Sequence, residues 1–141
     1  MLAVTSAFIV SNVVIMRWGV LGASQFALHH MAPAIHAAQG FQLVGLATSN
    51  RGKCHYFWVL HRICKYFDYD AHFEDPVIDV IYIPLPNHLH VLWSLKALAA
   101  GKHVLCEKLK TLHASDFDAL ETAAQASGKL CAEDFMIIHH P

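Results

Sequence analysis

The chain has 141 residues, enough for one domain with a hydrophobic core. Hydrophobic residues make up 55% of the chain, yet no run of about 18 apolar residues predicts a membrane span. The formal net charge is −1 and the Lys and Arg residues are scattered, which argues against nucleic acid or an anionic membrane as a partner. The four cysteines lack zinc-binding spacing, which predicts reduced thiols and a cytoplasmic protein.

Residues 1–15 carry no Asp, Glu, Lys or Arg. A secretory signal begins with a basic region, which this segment lacks. We therefore interpret residues 1–15 as an N-terminal extension that precedes a domain of residues 16–141. A targeting role for the extension is the alternative.

Strands and helices alternate in the predicted domain. The hydrophobic pattern predicts strands near residues 16–21, 42–48, 66–67, 78–85, 103–106 and 130–133. Between them it predicts helices near 25–38, 51–63, 68–74, 88–100 and 115–127. Pro33 must lie early in the first helix or kink it, because proline has no N–H. Six strands in two βαβαβ halves predict an α/β fold, a doubly wound parallel sheet of the Rossmann type.

Small residues follow the first predicted strand. Gly22, Ser24 and Ala27 fill the three positions of a G-x-G-x-x-G/A turn, with Ser in the middle position. In such a turn the backbone amides and the positive end of the next helix face a phosphate. The cofactor-binding residues predicted here are Gly22, Ala23, Ser24, Gln25, Phe26 and Ala27. The alternative is a turn that serves packing alone.

A second polar group follows the second predicted strand. It consists of Thr48, Ser49, Asn50 and Arg51. Ligands of doubly wound sheets bind beyond the carboxyl ends of the strands, where an acidic residue commonly binds the ribose hydroxyls of NAD. Here no acidic residue is present, and a fixed positive charge suits a 2′-phosphate. We therefore predict a preference for NADP(H), with NAD(H) as the other candidate. Arg51 as a solvated residue at a helix start is the alternative.

Two further segments carry a family resemblance. Residues 83–90 read Ile-Pro-Leu-Pro-Asn-His-Leu-His, and residues 99–108 read Ala-Ala-Gly-Lys-His-Val-Leu-Cys-Glu-Lys. They resemble the P-N-x-x-H and G-K-H-V-x-x-E-K-P elements of the glucose–fructose oxidoreductase / inositol dehydrogenase (Gfo/Idh/MocA) family. The resemblance covers nearly all of residues 16–141 and is weakest over 53–66.

This resemblance implies a nicotinamide-dependent oxidoreductase that transfers hydride to or from a sugar, polyol or related CH–OH compound. It implies that the cofactor groove is also bordered by Pro84, Leu85, Pro86, Asn87, His90, Glu107 and Lys108. Lys108 and His90 are the predicted catalytic residues, and the Lys108 ammonium would orient a substrate hydroxyl and share proton transfer. The alternatives are a helix-face histidine and a surface Lys–Glu pair.

The chain departs from the family pattern in two ways. Leu109 stands where the family has proline, so no proline ring fixes the backbone beside Lys108. The family also continues into an α/β substrate domain, which we expect this chain to lack, because it ends at Pro141, where the family crosses into that domain. We therefore expect cofactor binding with little or no turnover of sugars unless that domain is supplied. The alternative is a non-catalytic remnant that binds a dinucleotide or pairs with another chain.

Two expectations concern partners and metals. We expect the face that would meet the missing domain to expose apolar side chains. Such a surface favours self-association. The twelve histidines lack metal-binding spacing, so no metal is expected.

Overall fold

The computed structural model describes residues 14–108 and 111–134, with the backbone alone at 64 and 65. Most of the predicted N-terminal extension, residues 1–13, therefore lies outside the described residues. So do Leu109 and the segment 135–141.

A parallel sheet forms the centre of the described part of the domain. Its strands, in the order β3-β2-β1-β4-β5-β6, are β1 (Met16–Leu21), β2 (Phe41–Ala47), β3 (Cys64–Tyr66), β4 (Val80–Ile83), β5 (His103–Glu107) and β6 (Cys131–Asp134). The order reverses direction between β1 and β4, which opens a crevice at the carboxyl ends of these two strands. The predicted α/β parallel sheet of the Rossmann type is confirmed.

β4 is shorter than the predicted strand at 78–85. The amide of Ile78 donates to the carbonyl of Asp75 in a turn before the strand. Pro84 follows the strand and has no amide to contribute to the sheet. Apolar residues at both ends of this run thus belong to loops, which the hydrophobic pattern alone does not distinguish from strand.

The first helix starts at Gln25, widens into a π-helical turn (Ala27–Met31) and continues as α1 (Ala32–Ala37). The amide of Ala32 donates to the carbonyl of Ala27, five residues earlier, as a π-helical turn requires. Pro33 lies directly after this wide turn, at the start of α1. Pro33 thus lies in the first turn of α1 but well inside the helix as a whole, which accommodates the missing N–H by widening before the proline.

Four more helices lie in the described residues. They are α2 (Arg51–His61), α3 (Tyr69–Glu74), α4 (Asn87–Ala99) and α5 (Ala114–Ser127). One hydrophobic cluster joins α1 and α2 to one face of the sheet, and a second joins α3, α4 and α5 to the other face. Within the described residues, none of the helices combines the length and hydrophobicity needed to cross a lipid bilayer.

Part of the first face has no described helix over it. Right-handed crossovers place α1 and α2 beside β1, β2 and β3, and move the later helices to the opposite face. An open apolar groove remains over β1, β4, β5 and β6. We call it the open sheet face; its lining includes Trp18, Phe41, Val80, Leu105 and Leu130.

A buried histidine packs directly on the opposite face of the sheet. The ring of His72, from α3, lies against Gly19 of β1 and Gly45 of β2. A Cβ on Gly19 would lie 2.5 Å from the His72 Nε2, and a Cβ on Gly45 would lie 2.8 Å from its Cε1. His72 is fully buried, and neither ring nitrogen has a hydrogen-bond partner among the described residues. Burial lowers the pKa of His72 to about 4, so the ring is neutral at pH 7.

Candidate dinucleotide-binding site

The turn after β1 requires glycine at position 22. The φ angle of Gly22 is +95°, a backbone conformation that L-residues with a Cβ rarely adopt. A Cβ on Gly22 would also lie 2.6 Å from the Cδ2 of Leu85, in the loop after β4. The Gly22 amide donates to the carbonyl of Ala47 at 2.8 Å, which ties the turn to the end of β2. The structure therefore brings together the loops that follow β1, β2 and β4.

Ser24 caps the helix that follows this turn. Its Oγ accepts a hydrogen bond from the Ala27 amide at 3.0 Å, the usual pattern between a cap residue and the third helical residue. The proton of the Ser24 hydroxyl is not used by this bond, so it stays available to an acceptor. The amides of Gln25 and Phe26 precede Ala27 and, by position, have no acceptor within the helix. Ala27 is fully buried against the core.

The side chains of Gln25 and Phe26 make local contacts along the helix. The Gln25 Oε1 lies 3.0 Å from the Nε2 of His29, and the Phe26 ring centroid lies 5.0 Å from that of His30. Gln25 is exposed, Phe26 is half-buried and Ala23 is buried. These contacts hold the side chains along the helix surface.

The loop after β2 is ordered by its own polar side chains. Thr48 is buried, and its Oγ1 accepts from the Asn50 amide at 3.2 Å. The Asn50 Oδ1 accepts from the Lys53 amide at 3.0 Å and caps α2. Both oxygens therefore fix the loop, whereas Ser49 and Arg51 are exposed at its outer side.

Arg51 lies over an aromatic ring at the end of β3. Its guanidinium carbon is 4.5 Å from the ring centroid of Phe67, a cation–π contact. The contact leaves the edges of the guanidinium free to donate hydrogen bonds. A cation is thus held next to the N-terminus of α2, beside the crevice.

His90 lies in the first turn of α4, where the sequence placed it. It is fully buried in α4, and its Nε2 lies 2.6 Å from the carbonyl oxygen of Leu85. Because a carbonyl can only accept, the Nε2 of His90 carries the proton and donates it. His90 therefore holds the loop of Pro84, Leu85 and Pro86, and its predicted catalytic role stays a prediction. Asn87, the first residue of α4, is exposed.

Glu107, at the end of β5, is held by a hydrogen bond from the neighbouring strand β4. The hydroxyl of Tyr82, a fully buried residue of β4, donates to the Glu107 Oε1 at 2.5 Å. Burial first, and then the bond to Glu107, raise the pKa of Tyr82, so this tyrosine stays protonated. Lys108 follows Glu107 and is exposed, and its ammonium makes no salt bridge with any described residue. The alternative of a surface Lys–Glu pair between these two residues is not observed among the described salt bridges.

Three aromatic residues near the crevice were not predicted from the sequence: Phe67, Tyr69 and Tyr82. The Tyr69 hydroxyl lies 3.9 Å from the position of a Gly22 Cβ, and its ring packs at 4.8 Å against Trp93. Burial raises the pKa of Tyr69. Phe67 and Tyr69 follow β3, whose loop the prediction did not consider. Tyr82 lies within an apolar run, so its sequence context indicates only a core residue.

Hydrogen-bond donors and charged side chains lie together along the carboxyl edge of the sheet. A glycine turn and helix N-terminus lie at the centre, Arg51 lies on one side, and Glu107 and Lys108 lie on the other. No group of three or more His, Cys, Asp or Glu residues with metal-binding geometry occurs among the described residues. These features define a dinucleotide-binding domain of the Rossmann class.

Comparison with known families agrees with this geometry. Residues 16–135 match the model of an oxidoreductase family with an NAD-binding Rossmann fold, GFO_IDH_MocA. The chain belongs to this family, as the two motifs at 83–90 and 99–108 indicated.

Individual relatives act on different compounds. The chain is 36% identical over 125 residues to a dTDP-3,4-didehydro-2,6-dideoxy-alpha-D-glucose 3-reductase of Streptomyces violaceoruber, covering 89% of the chain and 36% of the reductase. It is also similar to the 3-ketoreductase KijD10 of Actinomadura kijaniata, whose structure was solved with NADP and TDP-benzene. The TM-score is 0.86 at 33% identity, and the match covers 90% of the chain and 39% of KijD10.

A third relative is the biliverdin reductase of Synechocystis, solved with biliverdin and NADP+. The TM-score is 0.81 at 26% identity, over 88% of the chain and 39% of that reductase. The chain thus spans about two fifths of the length of the proteins that it matches.

Proposed function

We propose that this chain binds NADP(H) and provides the cofactor-binding part of an oxidoreductase for a sugar or related CH–OH substrate. The observation that carries the proposal is the Gly22 turn. Its positive φ and its contact with Leu85 exclude a side chain at the point where a diphosphate would approach the backbone. The amides of Gln25 and Phe26, together with the Ser24 hydroxyl, would donate to the phosphate oxygens.

The preference for NADP(H) over NAD(H) rests on the loop after β2. Residues 48–53 contain no carboxylate to accept from a ribose 2′-hydroxyl, and they contain Arg51. The Phe67 ring supports the guanidinium from one side, which would leave its donors to a 2′-phosphate. KijD10 and the biliverdin reductase, both solved with NADP, support this preference.

The other end of the cofactor would lie beside β5. When bound, the nicotinamide supplies or accepts the hydride. Glu107, held by Tyr82, would border the ring, and the exposed Lys108 ammonium would orient the substrate oxygen and move a proton at that atom. Asn87 and the loop held by His90 would close this side of the crevice. In this proposal His90 is a positioning residue.

The chain by itself should bind cofactor but turn over sugars poorly. Hydride transfer needs a substrate held against the nicotinamide, and the relatives are more than twice as long as the matched region. A non-catalytic protein that binds a dinucleotide is therefore the second candidate. Robust turnover of a sugar by the 141-residue chain would exclude it.

We also propose that the chain self-associates through the open sheet face. Leu130 is 74% exposed and Phe41 is 42% exposed on this apolar surface, which favours association in water. Sedimentation velocity at increasing concentration tests this. Leu130→Asp should shift the protein toward monomer, and a wild-type chain that stays monomeric at high concentration would contradict the proposal.

Calorimetric titration of the full chain with NADPH and with NADH tests the main proposal. We expect NADPH to bind with the lower Kd and to raise the melting temperature. If a folded sample binds neither dinucleotide, the proposed function is wrong. If NADH binds more tightly than NADPH, only the assignment of Arg51 to the 2′-phosphate is wrong.

A further inference from the structure

The outer surface of α2 is apolar. Among its 11 residues, Cys54 and Phe57 are buried against the sheet. Tyr56, Val59 and Leu60 are instead 63%, 49% and 57% exposed. At 3.6 residues per turn these three side chains fall within about 100° of the helix circumference, on the side away from the core. A solvent-facing helix surface is ordinarily polar, so this stripe needs an explanation.

Cations border the apolar stripe. Lys53 lies in the first turn of α2, and Arg62 follows its last residue. Arg62 has a φ of +53°, and its guanidinium carbon lies 6.0 Å from the ring centroid of Trp58. Lys53 and Arg62 are the two cations of this surface, and residues 51–62 contain no Asp or Glu. The net charge of the whole chain predicts no membrane partner, but the charge is unevenly placed. We call Lys53, Tyr56, Val59, Leu60 and Arg62 together the α2 surface.

We propose that the α2 surface docks onto the headgroup region of an anionic phospholipid bilayer. In this arrangement the apolar stripe enters the boundary between headgroups and acyl chains, and the flanking cations lie at the level of the lipid phosphates. The proposal does not rest on cofactor binding, because no residue of the α2 surface is among the predicted cofactor-binding residues.

Size and charge favour lipid over a protein partner. A helix of 11 residues is only about 16 Å long. A single convex face of that length offers far less than the roughly 800 Å² per partner of a stable protein interface. A second copy of the chain would bring its own cations against these cations, which is unfavourable. A bilayer needs no complementary groove and supplies the opposite charge.

Vesicle flotation with the full chain tests the proposal. One set of vesicles contains equal parts phosphatidylcholine and phosphatidylglycerol, and the other contains phosphatidylcholine alone. We expect the chain to float with the anionic vesicles and not with the neutral ones, and we expect added salt to weaken this binding. Absence of flotation with the anionic vesicles overturns the proposal.

Paired variants show which surface is responsible. Val59→Ser/Leu60→Ser should lower the vesicle partition coefficient about tenfold, a change of one decade in an equilibrium constant. The control Leu92→Ser/Leu112→Ser alters side chains of similar exposure, 51% and 55%, on another part of the surface, and should bind as wild type. Equal loss in both variants, or no loss in either, contradicts the assignment to α2.

Two further measurements separate the remaining outcomes. Circular dichroism melting checks that each variant is folded. Lys53→Glu provides a second α2 variant, which leaves the apolar stripe intact and should also reduce flotation. Retention on immobilised polyglutamate without vesicle binding would assign the α2 surface to an acidic protein. Dimer dissociation caused by Val59→Ser/Leu60→Ser, again without vesicle binding, would assign it to a second copy. Either result overturns the lipid proposal.

Discussion

The hydroxyl of Tyr82 donates to the carboxylate of Glu107 and joins β4 to β5 at the carboxyl edge of the sheet. The bond starts from a fully buried ring and ends beside the exposed Lys108. It therefore fixes the backbone from which Lys108 projects.

Tyr82→Phe should loosen this edge. The ring still fills its space, but Glu107 loses a donor, so we expect unfolding to become easier by about 1–2 kcal/mol. We also expect weaker NADPH binding, measured by calorimetry. Equal NADPH affinity in the variant and the wild type would show that the position of Glu107 does not affect the cofactor.

Gly22→Ala should separate backbone strain from obstruction of the crevice. Gly101 is the matched control, because its φ is +75° and a Cβ there would meet nothing within 4 Å. Both substitutions should lower the free energy of unfolding by about 1 kcal/mol, since both place alanine at positive φ. Only Gly22→Ala should weaken NADPH binding, because only it displaces Leu85. A loss of affinity in Gly101→Ala as well would indicate a general effect on folding.

Arg51→Gln should change cofactor preference. If the guanidinium binds the 2′-phosphate, its loss raises the Kd for NADPH roughly tenfold to a hundredfold, corresponding to a charged hydrogen bond of about 1.5–3 kcal/mol. The Kd for NADH should change little. Lys53→Gln removes an exposed cation two residues away and should leave the ratio of the two Kd values as in the wild type.

His72 should make stability depend on pH. Its pKa is near 4 in the folded chain and near its ordinary 6.5 in the unfolded chain, so the unfolded state binds the proton more readily. Stability from this group is therefore full above about pH 6.5 and is lost as the pH falls toward 4, by roughly 3 kcal/mol in total.

Denaturant unfolding between pH 7 and pH 4 measures this effect. His72→Leu should flatten the decline, because the leucine carries no titrating group. His36 and His103 also have lowered pKa values, caused first by partial burial, so a smaller slope should remain in the variant. A variant with the full wild-type slope would show that His72 is not responsible.

Lys102 should matter for stability far more than an exposed lysine. Its Nζ donates to the carbonyls of Asp75 and Ile78, each at 2.7 Å, and the residue is buried. Lys102→Met leaves both carbonyls without this donor and should cost about 2 kcal/mol in chemical denaturation. Lys96→Met removes an exposed ion pair with Asp70 and should cost less than about 1 kcal/mol. Equal costs would contradict the structural role of Lys102.

The sheet and the ends of its strands are well predicted from the sequence, because strand runs, prolines and glycines are local signals. The Gly22 turn and the residues after β2, β4 and β5 were found in this way. The side-chain partners were not predictable, since they depend on which loops meet in space. His90 illustrates this: its spacing indicates a site residue, but its Nε2–H donates a hydrogen bond to the carbonyl of Leu85. Tyr82 illustrates the converse, because a residue of an apolar run reaches Glu107.

The contact between Gly22 and Leu85 also limits how this domain can be re-engineered. A side chain in the first turn would meet the terminal methyl of Leu85. A chimera that imports a bulkier first turn therefore needs a shifted Leu85 side chain or a smaller residue at position 85. The two segments, more than sixty positions apart in sequence, are best exchanged together.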